Sequence, residues 1–146
     1  MIVAPGTESR SRAGMVSPDG RTDIPLFLTR VFARSGEHDP HVILECKRVA
    51  EGNTGLAREY VVEGIDRFRT GKYAENHRRG FMIGYILAGS SEGVVAAINR
   101  YLAGRSRHTE TLAASVVRVA SAAWESKHPR TGQDAIALHH AMLALA

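Results

Sequence analysis

The chain is poor in cysteine, in lysine and in long apolar stretches. One cysteine, Cys46, among 146 residues excludes an internal disulfide. That fits a reducing compartment, so a cytoplasmic protein is the expectation. No apolar run approaches the roughly 20 residues of a membrane-spanning helix. Residues 1–20 lack the apolar core of a secretory leader, so no membrane is expected. The chain has no phosphate loop of Walker type and no Gly-x-Gly-x-x-Gly turn. Its seven histidines never fall in His-x-His or His-x-x-x-His spacing, which argues against zinc. Lysine occurs only at 47, 72 and 127, so arginine carries most of the positive charge. Arginine forks phosphate well, and a net charge of +4 admits a nucleic-acid partner without requiring one.

The length suits about one domain. Residues 1–20 show neither helical nor strand period and are expected to be disordered or loosely packed, with the domain proper spanning 21–146. Residues 22–33 read as a strand, with Pro25 at its start, on an edge or at a bulge. The polar stretch Ser35 to Pro40 reads as a turn, and residues 41–49 as the next strand of a hairpin. Asn53 or Thr54 can cap a helix over about 55–70, whose apolar face is Ala57, Val61, Ile65 and Phe68. Gly64 weakens it slightly. Residues 81–88 form a continuous apolar run, as in a strand buried on both faces. Ser90 or Ser91 caps a helix over about 91–103 with Val94, Val95, Ile98 and Leu102 inward. Two more strands, 112–125 and 134–145, are expected around a turn at His128 to Gly132. The whole is an α/β (α+β) chain, a single mixed β-sheet flanked by helices.

Chemistry concentrates at His41-Val42-Ile43-Leu44-Glu45-Cys46-Lys47-Arg48. In a strand, Glu45 and Lys47 share a face and Cys46 points away. A carboxylate and an ammonium then sit side by side at the end of an apolar strand. Asp23 opens the preceding apolar run and supplies a second carboxylate. A second acidic-x-Lys pattern, in Glu125-Ser126-Lys127-His128, precedes the Pro129 turn without a partner acid on a preceding strand, and the segment reads as surface or substrate-contacting. His139 and His140 are adjacent, point oppositely in a strand and read as structural.

The pattern Asp23…Glu45-Cys46-Lys47 resembles the PD-(D/E)xK nuclease superfamily, the fold of many restriction endonucleases. The resemblance covers roughly residues 20 to 103. It implies a restriction endonuclease-like sheet of order α-β-β-β-α-β and a metal-dependent hydrolase cutting DNA phosphodiester bonds, in restriction, phage defence or repair. It makes Asp23, Glu45 and Lys47 the catalytic set. Asp23, Glu45 and the Cys46 backbone carbonyl would hold Mg²⁺ or Mn²⁺, which prefer hard oxygen ligands. Lys47 would orient the attacking water or stabilise the phosphate. The basic connection containing Lys72, Tyr73, Arg78 and Arg79 would grip the phosphate backbone of DNA. Many relatives dimerise to cut both strands, so the resemblance adds a homodimer to the possible partners. The family's opening helix has no counterpart in residues 1–20. Its absence, with Pro25 beside the acidic position, favours a second reading: a non-catalytic nucleic-acid-binding module that keeps the fold. A third reading is a small α/β scaffold unrelated to nucleases.

Overall fold

The computed structural model describes residues 42–74, 76–116 and 123–144, together with the backbone of Ile2–Val3, Glu8–Ser9, Gly20–Arg21 and Ile24–Phe27. The long strands are β5 (Val42–Ala50), β6 (Arg79–Ala88), β8 (Ala123–Arg130) and β9 (Gln133–Ala144), joined by β4 (Ile24–Phe27) and by the two-residue strands β1 (Ile2–Val3) and β7 (Ala113–Ala114). They form one mixed sheet in the order β1-β4-β5-β6-β9-β8-β7. The strands β2 (Glu8–Ser9) and β3 (Gly20–Arg21) pair separately. The mixed sheet with helices is the fold class the sequence implies.

β4 runs antiparallel to β5, whereas β5, β6 and β9 are mutually parallel and β8 closes back on β9. Parallel neighbours need long crossovers. The first is a helical run of three parts: α1 (Thr54–Tyr60), a π turn over Val61–Ile65 and α2 (Asp66–Arg69). The second contains α3 (Ser91–Ala103). Both start as the sequence dictates. Asn53 accepts the Leu56 amide at 3.0 Å and Ser90 accepts the Gly93 amide at 3.0 Å, satisfying donors that a helix start leaves orphaned.

Both crossovers pack on one face of the sheet. Ala57, Tyr60, Val61, Ile65 and Phe68 from the first run, and Val94, Val95, Ile98 and Leu102 from α3, bury against Ile43, Val49, Met82, Ile86, Leu138 and Met142. Burying a large apolar side chain stabilises by roughly 1.5–3 kcal/mol, so this layer dominates the fold. Two glycines allow the close approach. A Cβ at Gly64 would collide with the Met82 methyl, and one at Gly80 would lie 2.6 Å from Phe68 Cε1 and 2.8 Å from Leu138 Cδ2.

β6 departs from the expectation that both its faces are buried. Gly80, Met82, Gly84 and Ile86 are buried, but Phe81, Ile83 and Tyr85 between them are half-buried. Among the described residues the helices cover only one side. The final hairpin also differs, because β8 continues through Pro129 to Arg130 and the turn shortens to Thr131-Gly132. The register shifts between His128 and Arg130, so the proline sits at an irregularity where no ladder donor is needed. Residues 117–122 of the expected strand 112–125 lie outside the described residues.

Candidate functional site

β5 carries Ile43, Glu45, Lys47 and Val49 toward the helical layer. Glu45 is 1% exposed, while the Lys47 side chain keeps about a fifth of its surface. The Lys47 ammonium donates to Glu45 Oε1 and, at 3.3 Å, to the Cys46 carbonyl. The sequence reading therefore placed these two side chains correctly, on one face and in contact. Cys46 is half-buried.

The geometry around them comes from an unequal pairing. β4 pairs with β5 only from Val42 to Leu44, with Ile24 opposite Leu44. Beyond that, among the described pairings, β5 has β6 alone as a neighbour. A cleft of about 510 Å³ opens there. Its walls are Cys46, Lys47 and Arg48 from β5, Tyr85 from β6, and Glu59, Glu63 and Arg67 from the helical run. Glu63 lies in the π turn, a distortion often found at functional sites. It accepts from Arg67 Nη2 at 2.6 Å, and that bond holds its carboxyl below the ordinary value.

Asp23, the remaining member of the expected catalytic and metal set, lies outside the described residues. Among the described residues no group of three or more His, Cys, Asp or Glu side chains is placed to hold a metal ion. Glu45 Oε1 and the Cys46 carbonyl both accept from Lys47.

The expected phosphate grip is dispersed. Tyr73 is fully buried, edge-on to Phe68, and its hydroxyl accepts from Arg67 Nη1 at 2.6 Å. From there it packs the core and cannot reach a nucleic-acid backbone. Arg78 is exposed and pairs with Asp134 at 2.6 Å; Arg79 is exposed at the start of β6, and Lys72 is half-buried. The connection itself is held from inside by Arg130, which donates to the carbonyls of Phe68 at 3.0 Å, Ala74 at 3.0 Å and His77 at 3.2 Å. No helix among the described residues is long and apolar enough to cross a membrane.

A second polar constellation was not foreseen. Ser126 and His128 on β8 and His140 on β9 are buried under the helices, whereas Glu125 and Lys127 turn to the other face. Ser126 and His128 are therefore core residues, which corrects their surface reading. The Ser126 oxygen lies 2.7 Å from both His128 Nε2 and His140 Nε2. His128 Nδ1 is 2.7 Å from Glu110 Oε2, and His140 Nδ1 is 2.9 Å from the Tyr60 hydroxyl. Arg107 donates to Glu110 twice and to Asp66 once. Burial pushes the Glu110 carboxyl up, but the Arg107 and His128 hydrogen bonds outweigh it and leave it low. Burial depresses both imidazoles, His140 to about 3. The signal available in sequence was period two: Trp124, Ser126 and His128 share one face, as do Leu138, His140 and Met142.

Compared with protein-family models, with curated proteins and with solved structures, the chain matches none.

Proposed function

We propose that the cleft beside Glu45 and Lys47 is the active site of a metal-dependent deoxyribonuclease with a restriction endonuclease-like core. The observation that carries this reading is the meeting of three features at one point of β5. Glu45 and Lys47 touch on the buried face, the described pairing with β4 stops opposite Leu44, and a cleft with Lys47 in its wall lies beside them. Ile24, which follows Asp23 in the chain, stands opposite the residue before Glu45. A parallel helical crossover follows directly. This is the order of elements the resemblance implies from the acidic strand onward.

The described residues do not complete a metal site. Glu45 supplies one carboxylate, and the set depends on Asp23. A bound Mg²⁺ would supply a lowered water pKa and an electrostatic counterweight to the phosphate. Lys47 holds its ammonium on the cleft side of Glu45, where a positive charge stabilises an anionic phosphate oxygen. Arg48 and Arg67 add positive charge to the same walls, and Glu59 and Glu63 offset it.

One observation favours the second reading, a nucleic-acid-binding module without catalysis. Lys47 donates to Glu45 Oε1 and to the Cys46 carbonyl, two of the oxygens that an ion would take from β5. The test is incubation of the purified chain with plasmid and short duplexes, with Mg²⁺ or Mn²⁺ and with chelator, beside Lys47→Ala. Metal-dependent cleavage that disappears in the variant supports the nuclease. Salt-sensitive DNA binding without cleavage supports the module. Neither cleavage nor binding sinks both.

A further inference from the structure

The polar chain under the helices admits one self-consistent arrangement of protons. Glu110 is its fixed end. Arg107 Nε donates to Oε1 at 3.0 Å and Nη2 to Oε2 at 2.7 Å, so Glu110 is a carboxylate that only accepts. His128 Nδ1 must then carry a hydrogen toward it. A neutral imidazole has one N–H, so His128 Nε2 is bare and accepts from the Ser126 hydroxyl. Ser126 has then given its only hydrogen, and its oxygen accepts from His140 Nε2. That leaves His140 Nδ1 bare, and the Tyr60 hydroxyl donates to it. Every bond points the same way, from the helix toward Glu110.

One further proton leaves one buried hydroxyl hydrogen without an acceptor. If His140 takes it, the new N–H is on Nδ1 and faces the Tyr60 oxygen. If His128 takes it, the new N–H is on Nε2 and faces Ser126. The serine then turns to donate to His140 Nε2, and that ring carries its hydrogen on Nδ1 instead. In both arrangements one proton is gained, none is lost, and the Tyr60 O–H turns away from His140; the alternative, Ser126 accepting from both rings, strands the buried Ser126 hydrogen instead. Tyr60 is fully buried, and His140 is its one hydrogen-bond partner among the described residues. A buried hydroxyl hydrogen without an acceptor is costly.

We propose that this chain is an acid-released latch: an added proton breaks the Tyr60 donation and loosens the helical run Thr54–Arg69, which carries Glu59, Glu63 and Arg67 on the wall of the cleft. The latch is independent of what the cleft binds. The charged and titratable groups around the two rings come from four elements. The helical run contributes Tyr60, Asp66 and Arg69, the last 3.7 Å from Glu110. Arg107 and Glu110 follow α3, Cys46 lies near Tyr60 from β5, and His139 neighbours His140 on β9. For His128, burial is the largest influence and opposes protonation, Arg107 joins it, and Glu110 and Asp66 favour the proton. For His140, burial leads and His128 and His139 add to it.

The folded chain therefore refuses protons that the unfolded chain binds as pH falls through about 6.5. Stability is full above that pH and declines below it. With both rings neutral, the unfolding constant rises by up to about 100-fold per pH unit.

The first test is nitrogen-15 NMR of the imidazoles in the whole chain at about pH 7.5. The expected result is opposite tautomers, Nδ1–H on His128 and Nε2–H on His140, with neither ring titrating near 6.5. Matching tautomers, or an ordinary titration of either ring, overturns the relay. The second test is amide hydrogen exchange at about pH 7.5 and pH 5, corrected for intrinsic rates. Residues 54–69 should gain about tenfold more in exchange rate at the lower pH than α3 does. Equal change in both, or none, overturns the latch. In Tyr60→Phe, residues 54–69 should already exchange at the released rate at the higher pH. Retention of the wild-type pH dependence in that variant overturns the latch. If the variant does not fold, the two wild-type measurements decide.

Discussion

The same buried face of one sheet holds polar groups at two places and treats them differently. At the edge of β5, Glu45 meets Lys47 beside an open cleft. Between β8 and β9, Ser126, His128 and His140 are closed under helices and joined to Glu110 and Tyr60 in one run of bonds. There the partly exposed Lys47 keeps a path to solvent and to ligands. An interior run must satisfy every member, because a low dielectric magnifies each unmade bond. The difference separates reactivity from specification. The edge is where chemistry is proposed, whereas the interior fixes how helix and sheet dock.

Substitutions break this contrast in order of expected size. Glu110→Ala strips the acceptor from Arg107 and from His128, and breaking a buried pair in this way costs about 3–5 kcal/mol. Urea unfolding near neutral pH should show it. Lys47→Ala should cost less stability, about 1–3 kcal/mol, because Lys47 is partly exposed and its charge is screened. Adding Glu45→Gln should recover part of that loss, which would show that the stranded carboxylate was its source. In cleavage assays the same Lys47→Ala change should lower the rate by about 10²–10³-fold. A variant that loses stability but keeps its cleavage rate would move the active site elsewhere. Gly64→Ala sharpens the boundary between the two regions. The new methyl displaces Met82 at an overpacking cost of about 1–3 kcal/mol, less up to about 1 kcal/mol of helix propensity. Thermal melting should therefore fall by a few degrees. The smallest effect is expected for Arg78→Ala, whose partner Asp134 is also exposed, at under about 1 kcal/mol. If Arg78 touches DNA, the salt dependence of binding should lose about one unit of slope.

Local pattern carried much of this fold. Ser90 with Val94, Val95, Ile98 and Leu102 gave α3, and Ala57, Val61, Ile65 and Phe68 gave the first helical run, because cap and period lie within a few residues of one another. Glu45 and Lys47 were legible for the same reason, two residues apart on one strand. The interior run was not. Its partners stand 18, 14 and 80 positions apart, in Glu110 with His128, Ser126 with His140 and Tyr60 with His140. Ser126, between Glu125 and Lys127, reads as solvent-facing until its partners are known. Pro129 misled in a different way. It reads as the end of a strand, and the ladder instead shifts around it.

Arg130 has a consequence for the order of assembly. It fastens the connection after the first helical run through carbonyls 53 to 62 positions earlier in the chain. During synthesis that stretch emerges long before its anchor exists. Its shape is set last, when the closing hairpin docks, although it lies in the middle of the sequence. Arg130→Ala would thus unfasten a loop more than fifty positions earlier while leaving the caps of both crossovers in place.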